Sequence, residues 1–408
     1  MHTHMKLIEK KLVFENMPGA STAYEYEYYT KATGVEKIRL RYLDISNDIF
    51  DDGSLSFSAD NGRTWGEQRP HLIGQKTNQG TLRRFECTGF VDPVEKKLIS
   101  LYLEGLFKHD DPIEGMTQYY LNYRVSDDGG RTNLLDERVI QKGRDAAGEF
   151  NAQHPFKDIW TGKNAILLPL YPPIVRTRRG HLCLVVSRSL LGPDGKYYNP
   201  GGGYTWLEEM VLIGRWQQDG KIEWEPVAGL SLPPAKSTRG LDECTLTELH
   251  DGTLLLVMRG SNDAEGKIPG HKWYAISSDA GYTWSEVRPW GYSDGSLFYS
   301  PASMCQFLPH SSGKLYWLGN ISAENPRANL PRDVLYIGEV DEKSRLLRKD
   351  TLFVIDRVQP HDSPDTHLSN FGVIEDRETG DVVVNMPYFT NRGTGWTGDT
   401  YRYRVAMR

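Results

Sequence analysis

An eight-residue pattern occurs three times along the chain, as Ser58-Ala-Asp60-Asn-Gly62-Arg-Thr64-Trp65, Ser126-Asp-Asp128-Gly-Gly130-Arg-Thr132-Asn133 and Ser277-Ser-Asp279-Ala-Gly281-Tyr-Thr283-Trp284. Each copy follows an apolar or aromatic run. The residue types suit a tight hairpin turn. The Asp oxygens bond turn amides, Gly adopts a positive φ, and Trp packs beneath the turn. A repeated turn implies a repeated supersecondary unit, which constrains the fold more than the overall length does.

The segments between the turns read as strands. Pro173–Val186, Cys244–Met258 and Phe371–Val384 each run from a strand through a polar, Gly-containing turn into an apolar strand, the signature of a hairpin. Continuous apolar runs such as Leu254-Leu-Leu-Val-Met258 fit strands buried on both faces, and no period of 3.6 is sustained. Six such pairs are expected, starting near Ile38, Phe90, Ile174, Thr245, Ala302 and Phe371. The last strand, Thr400–Met407, is expected to share a sheet with the first, Leu7–Phe14, closing a ring without open edges and leaving one domain over residues 1–408. The connections 134–170, 189–208 and 386–399 read as long loops of the kind that carry function.

The repeated turn resembles the Asp-box (BNR) repeat of sialidases and their relatives. That resemblance implies an all-β, six-bladed β-propeller of four-stranded antiparallel blades, with the box joining the third and fourth strands on the face away from the active site. It places function on the opposite rim, where first strands start, second strands end and third strands start. On that rim fall Glu243, at a strand start, and Arg259, at the neighbouring strand's end. Their segment is similar to the sialidase stretch bearing the glutamate that polarises the nucleophilic tyrosine and the second arginine of a carboxylate-binding triad. Arg332, just ahead of a third strand, matches the third arginine. Two arginine forks can donate paired hydrogen bonds to one substrate carboxylate.

The chain departs from the family pattern at two places. No Arg-Ile-Pro motif is present; Leu170-Tyr171-Pro-Pro-Ile174 is the nearest string, and Arg83 or Arg84, before Glu86, would have to substitute for the first arginine. The sixth unit opens Asp365-Thr-His367-Leu-Ser-Asn370 where sialidases carry the tyrosine nucleophile. An inverting hydrolysis is therefore expected, with Glu243 as base or activator, His367 as a base or substrate contact, and Glu104 or Asp110 as the acid. Arg84, Glu86, His154, Tyr171 and Trp206 complete the expected substrate contacts, since aromatic rings stack on the C–H faces of sugars.

A net charge of -6 gives no general attraction for nucleic acid or anionic membrane. The first residues lack the apolar stretch of a signal peptide and no segment approaches the roughly 20 apolar residues of a membrane span, so a soluble, cytoplasmic protein is expected. Cys87, Cys183, Cys244 and Cys305 show no zinc spacing and read as buried free thiols. P-loop, dinucleotide, H-E-x-x-H, EF-hand and G-x-S-x-G motifs are missing, so neither cofactor nor metal is expected. The leading expectation is an exo-acting glycoside hydrolase for a terminal acidic sugar, sialic acid or a relative. A uronic-acid polysaccharide lyase and a non-catalytic carbohydrate-binding propeller are the alternatives.

Overall fold

A computed structural model describes residues 5–17, 22–44, 50–78, 80–107, 119–139, 166–167, 173–190, 198–203, 206–263, 265–391 and 396–407. The protein is all-β; among the described residues helix is limited to the 3-10 turn Lys349–Thr351. No described helix is long and apolar enough to cross a membrane.

The three repeated turns share one hydrogen-bond pattern. In the third, Ser277 Oγ bonds Asp279 Oδ1 (2.8 Å) and accepts from Gly281 N (2.8 Å), while Asp279 accepts from Thr283 N (2.8 Å) and Thr283 Oγ1 (2.6 Å). The same donors serve Asp60 and Asp128. Gly281 has φ +104°, and a Cβ there would meet Cys183 Sγ at 2.9 Å, so the position needs glycine for both backbone and space. Each turn leaves the third strand of its sheet: Phe50–Ser58, Tyr119–Ser126 and Lys272–Ser277.

The strands form antiparallel meanders arranged in five hydrogen-bonded sheets. The second meander contains Gly80–Val91, Leu98–Phe107, Tyr119–Ser126 and Leu135–Arg138; the third, Ile174–Arg176, Leu182–Arg188, Glu208–Trp216 and Ile222–Leu230. The fourth contains Asp242–Glu248, Leu254–Arg259, Lys272–Ser277 and Arg288–Pro289; the fifth, Cys305–Pro309, Leu315–Asn320, Val334–Asp341 and Phe353–Arg357. The nine-stranded sheet holds two meanders. Thr22–Tyr29, Lys37–Asp44, Phe50–Ser58 and Arg69–Pro70 form one; Gly372–Glu375, Val382–Asn391, Trp396–Met407 and Met5–Phe14 form the other. Their backbones pair through one parallel bridge, Thr22 to Gly398. The expected pairing of the terminal strands is present, from Met5 opposite Met407 to Phe14 opposite Thr400.

Four expectations are corrected. Phe90 lies at the end of Gly80–Val91 and not at the start of a strand pair, and the expected loop 134–170 opens with the strand Leu135–Arg138. Ile38 lies in the second strand of the first meander, not the first, which is Thr22–Tyr29. The expected loop 386–399 is mostly strand, because Val382–Asn391 and Trp396–Met407 pair as far as Asn391 opposite Trp396.

Neighbouring meanders pack through alternating side chains. On Leu182–Arg188, Leu182, Leu184 and Val186 face a core with Ile99, Leu101 and Leu103, whereas Cys183 and Val185 face one with Leu254, Leu256 and Met258. Burial on both faces requires the continuous apolar runs seen in the sequence. Cys183, Cys244 and Cys305 are buried free thiols; the Cys87 side chain lies outside the described set. Between the sixth and first meanders the contact is largely polar. Arg402 bridges Glu25 (3.2 Å) and Glu27 across it, Asn61 donates to Asp376 (2.9 Å) and Arg377 N donates to Tyr29 OH (3.0 Å), while Lys37, 3.6 Å from Glu27, and Arg404, bonded to Asp376 (2.8 Å), hold those carboxylates from within their own meanders.

Candidate functional site

The hairpin that joins Asp242–Glu248 to Leu254–Arg259 aligns Asp242 with Arg259 and Thr245 with Val257, so a bulge falls at Glu243 and Cys244. Glu243 takes φ +45°, a costly conformation for a residue with a side chain. The bulge brings its carboxylate onto Arg259, with Nη1 to Oε2 at 2.5 Å. Arg259 is buried and also reaches Asp242 through Nε (3.3 Å) and Asn329 Oδ1 through Nη2 (3.5 Å).

Arg332 is buried and donates from Nε and Nη2 to the carbonyl of Ala302. Its charge is felt by Glu243, His367 and Lys272. Leu368 N donates to Arg332 O (2.8 Å), which fixes His367 beside the arginine. Burial, reinforced by that cation, lowers His367 to about 3, so its imidazole is neutral across the physiological range.

The carboxyls of this cluster are driven apart. Burial pushes Glu243 up, but the cations of Arg259, Arg332 and Arg239 prevail and hold it below the usual carboxylate range. Asp242 moves the other way, because burial and Glu243 outweigh the help of Arg259. Burial, with Asp242 nearby, raises Glu209 to about 8, so it is protonated at neutral pH. Its side chain is 0% exposed, its Oε2 accepts from Ser187 Oγ (3.2 Å), and its Oε1 has no hydrogen-bond partner among the described residues. Lys272, opposite Arg259 in the sheet, is fully buried with Nζ bonded to Ser303, and burial lowers it to about 8. A neutral acid and a held carboxylate in one neighbourhood is the combination that acid–base chemistry uses.

Sequence reasoning thus brought Glu243, Arg259, Arg332 and His367 to one region, and missed Asp242, Glu209 and Lys272. Glu209 and Lys272 each sit near the start of a strand with an apolar centre, a pattern that hints at a buried charge but encodes none of its partners. The other expected residues have partners of their own or fall outside the described residues. Glu104 is on the second meander, bonded by Arg84 Nε (2.7 Å) and Arg138 Nη2 (3.5 Å). Glu86 is buried between the first and second meanders, taking Tyr28 OH (2.6 Å) and contacting His71 (3.2 Å) and Arg124 (3.6 Å). Burial raises its carboxyl, but His71 and Arg124 hold it below the ordinary range. Trp206 is buried, edge-on to Tyr198 at 6.5 Å. Asp110, His154 and Tyr171 fall outside the described residues.

This architecture is that of the sialidase-like β-propellers. The chain is similar to a mutant NanB sialidase from Streptococcus pneumoniae (TM-score 0.61, 12% identity, 97% of this chain and 70% of that one). It is similar also to the intramolecular trans-sialidase from Ruminococcus gnavus (TM-score 0.58, 12% identity, 97% of each chain). A third is the α-L-arabinanase of Penicillium chrysogenum complexed with arabinobiose (TM-score 0.54, 16% identity, 98% of each chain). No protein-family model matches the chain, and no curated protein matches it in sequence. At such identities the likeness establishes the fold, shared here with glycoside hydrolases.

Proposed function

We propose that the chain is a single-domain, six-bladed propeller that acts as an exo-glycoside hydrolase on a terminal acidic sugar, with a carbohydrate bound at the rim around Glu243. The six meanders and the pairing of the terminal strands support the ring. The observation that carries the substrate class is the charge at the rim: Arg259, Arg332, Arg239 and Lys272 gather around Asp242 and Glu243, an excess of cations that favours an anionic ligand. Glu243, kept ionised, supplies the base that activates water, and His367, kept neutral by burial and Arg332, serves as a hydrogen-bond contact for the substrate. With no tyrosine at the sixth-meander start, water attacks the anomeric carbon directly while an acid, Glu104 or Asp110, protonates the leaving oxygen.

A second reading has its own support. The guanidinium of Arg332 is spent on Ala302 O, and that of Arg259 on Asp242, Glu243 and Asn329, an arrangement that suits a neutral furanoside of the arabinan type. Hydrolysis of 4-methylumbelliferyl N-acetylneuraminide and of p-nitrophenyl arabinofuranoside separates the two. Release from the former, abolished in Glu243→Gln, is expected; release from the latter alone overturns the acidic-sugar assignment. Proton NMR of the first product is expected to show inverted configuration, and retention overturns the direct attack of water. An unsaturated uronate absorbing in the near ultraviolet would mark a lyase, and glycan binding without turnover a non-catalytic propeller.

A further inference from the structure

Lys272 opens the third strand of the fourth meander, opposite Arg259, and is wholly buried. Withdrawing an ammonium from water is costly unless a carboxylate meets it. Among the described residues Nζ forms no ion pair and donates to neutral oxygens, the carbonyl and the hydroxyl (3.4 Å) of Ser303. Arg259 and Arg332 repel the ammonium, while Glu243 attracts it and Asp242 feels its charge. Methionine would fill the same space without that cost, which points to a use for the charge beyond packing.

The use lies in what Ser303 and its neighbour support. Ala302 and Ser303 are buried just ahead of the strand Cys305–Pro309, and their successive carbonyls are held by cations from different meanders. Arg332 takes Ala302 O through Nε (3.1 Å) and Nη2, and Lys272 takes Ser303 O. Ala302 N donates to Ala328 O (2.9 Å), and Ala328 directly precedes Asn329, whose side chain meets Arg259 (3.5 Å). One buried dipeptide thus seats Arg332 directly and reaches Arg259 through Ala328 and Asn329. A charged donor holds a carbonyl roughly twice as strongly as a neutral one. Loss of the proton from Lys272 would loosen that seat and remove a positive charge from behind both guanidinium groups.

We propose that Lys272 is a positioning residue for anion capture, fixing the Ala302–Ser303 seat of Arg332 and adding its charge to the rim without touching the ligand. The proposal rests on the acidic-sugar reading above. Burial lowers Lys272 to about 8, so its charge is complete well below pH 8 and is lost as pH rises through it. Of the groups around it, Arg259 and Arg332 are permanent cations, Glu243 is held ionised, and burial keeps Cys305 a thiol. Asp242 and Glu209 are raised by burial, Glu209 to about 8, and both gain negative charge as pH rises.

The test is calorimetric titration of the full chain with N-acetylneuraminate from pH 6.5 to pH 9.5. Wild-type affinity is expected to be level up to pH 7 and to fall about tenfold by pH 9, where about a tenth of the ammonium remains. Lys272→Arg, always charged, is expected to abolish the fall, and Glu209→Gln to retain it. Lys272→Met is expected to bind about tenfold more weakly than wild type at pH 7, with no further fall; should arginine not fit the space of the lysine, this variant decides. A wild type without the fall, a fall that persists in either Lys272 variant or vanishes in Glu209→Gln, or wild-type affinity in Lys272→Met at pH 7 overturns the proposal and leaves the acidic-sugar reading standing. Absence of N-acetylneuraminate binding by wild type at every pH overturns that reading, and the proposal with it.

Discussion

Arg259 shows how much one planar side chain can organise. Its three nitrogens reach a strand-start carboxylate, the bulged carboxylate beside it and a loop amide. Lysine keeps the charge, but its three donors sit on one nitrogen and cannot span partners arranged around a planar guanidinium. Arg259→Lys is therefore expected to lower kcat/KM by about a hundredfold in the hydrolase assay; an unchanged value would show that only the charge matters. Glu209 permits a separate test by stability. Its pKa in the folded state is raised from the ordinary 4.5 to about 8, so its favourable contribution is complete below 4.5 and is lost as pH rises through 8. Glu209→Gln keeps the Ser187 contact without titrating. The unfolding free energy of wild type should fall relative to this variant between pH 6 and pH 9, by an amount on the order of a few kcal/mol, and parallel curves by calorimetry would refute the protonated state.

At the scale of elements, the repeated turns are held by a carboxylate acting as a local acceptor. Asp279→Ala strands the Thr283 amide and frees Ser277, which is expected to cost about 2 kcal/mol in denaturant unfolding. The donors of Thr64 and Ser58 hold Asp60 at about 2, below its ordinary 3.8, so that turn keeps its contribution above pH 4 and loses it as pH falls toward 2. These turns and the apolar strands were legible in the sequence because both are local: eight residues suffice for the turn, and a run of Leu and Val suffices for a twice-buried strand. Glu243 and Arg259 were legible for a related reason, since one hairpin register joins them. Glu209 and Lys272 were not, because their neighbours come from adjoining sheets and no spacing along the chain encodes that contact. The strand Thr22–Tyr29 was missed for another reason. Its alternation of Tyr and Glu looks half-exposed, yet every position is buried, the glutamates because Arg41, Lys37 and Arg402 meet them.

Across the whole molecule, the contact between the sixth and first meanders differs from the contacts between the others in its reliance on ions. Buried pairs of this kind contribute modestly when intact and cost much when one partner is lost. The terminal pairing adds the ladder from Met5–Phe14 to Trp396–Met407, and Lys10 on its first strand reaches Asp356 (2.7 Å) of the fifth meander. Removal of residues 1–14 is expected to lower stability by more than the ~1–3 kcal/mol of an ordinary point substitution, read by calorimetry; an unchanged midpoint would show that the strand is dispensable. The same pairing sets an order of events during synthesis. Met5–Phe14 is synthesised well before Trp396–Met407 and cannot acquire its neighbour until that strand has emerged, so its edge stays unsatisfied while the intervening residues are made. The sixth meander therefore cannot be completed from its earlier-made strand alone, and its assembly waits on synthesis of Trp396–Met407.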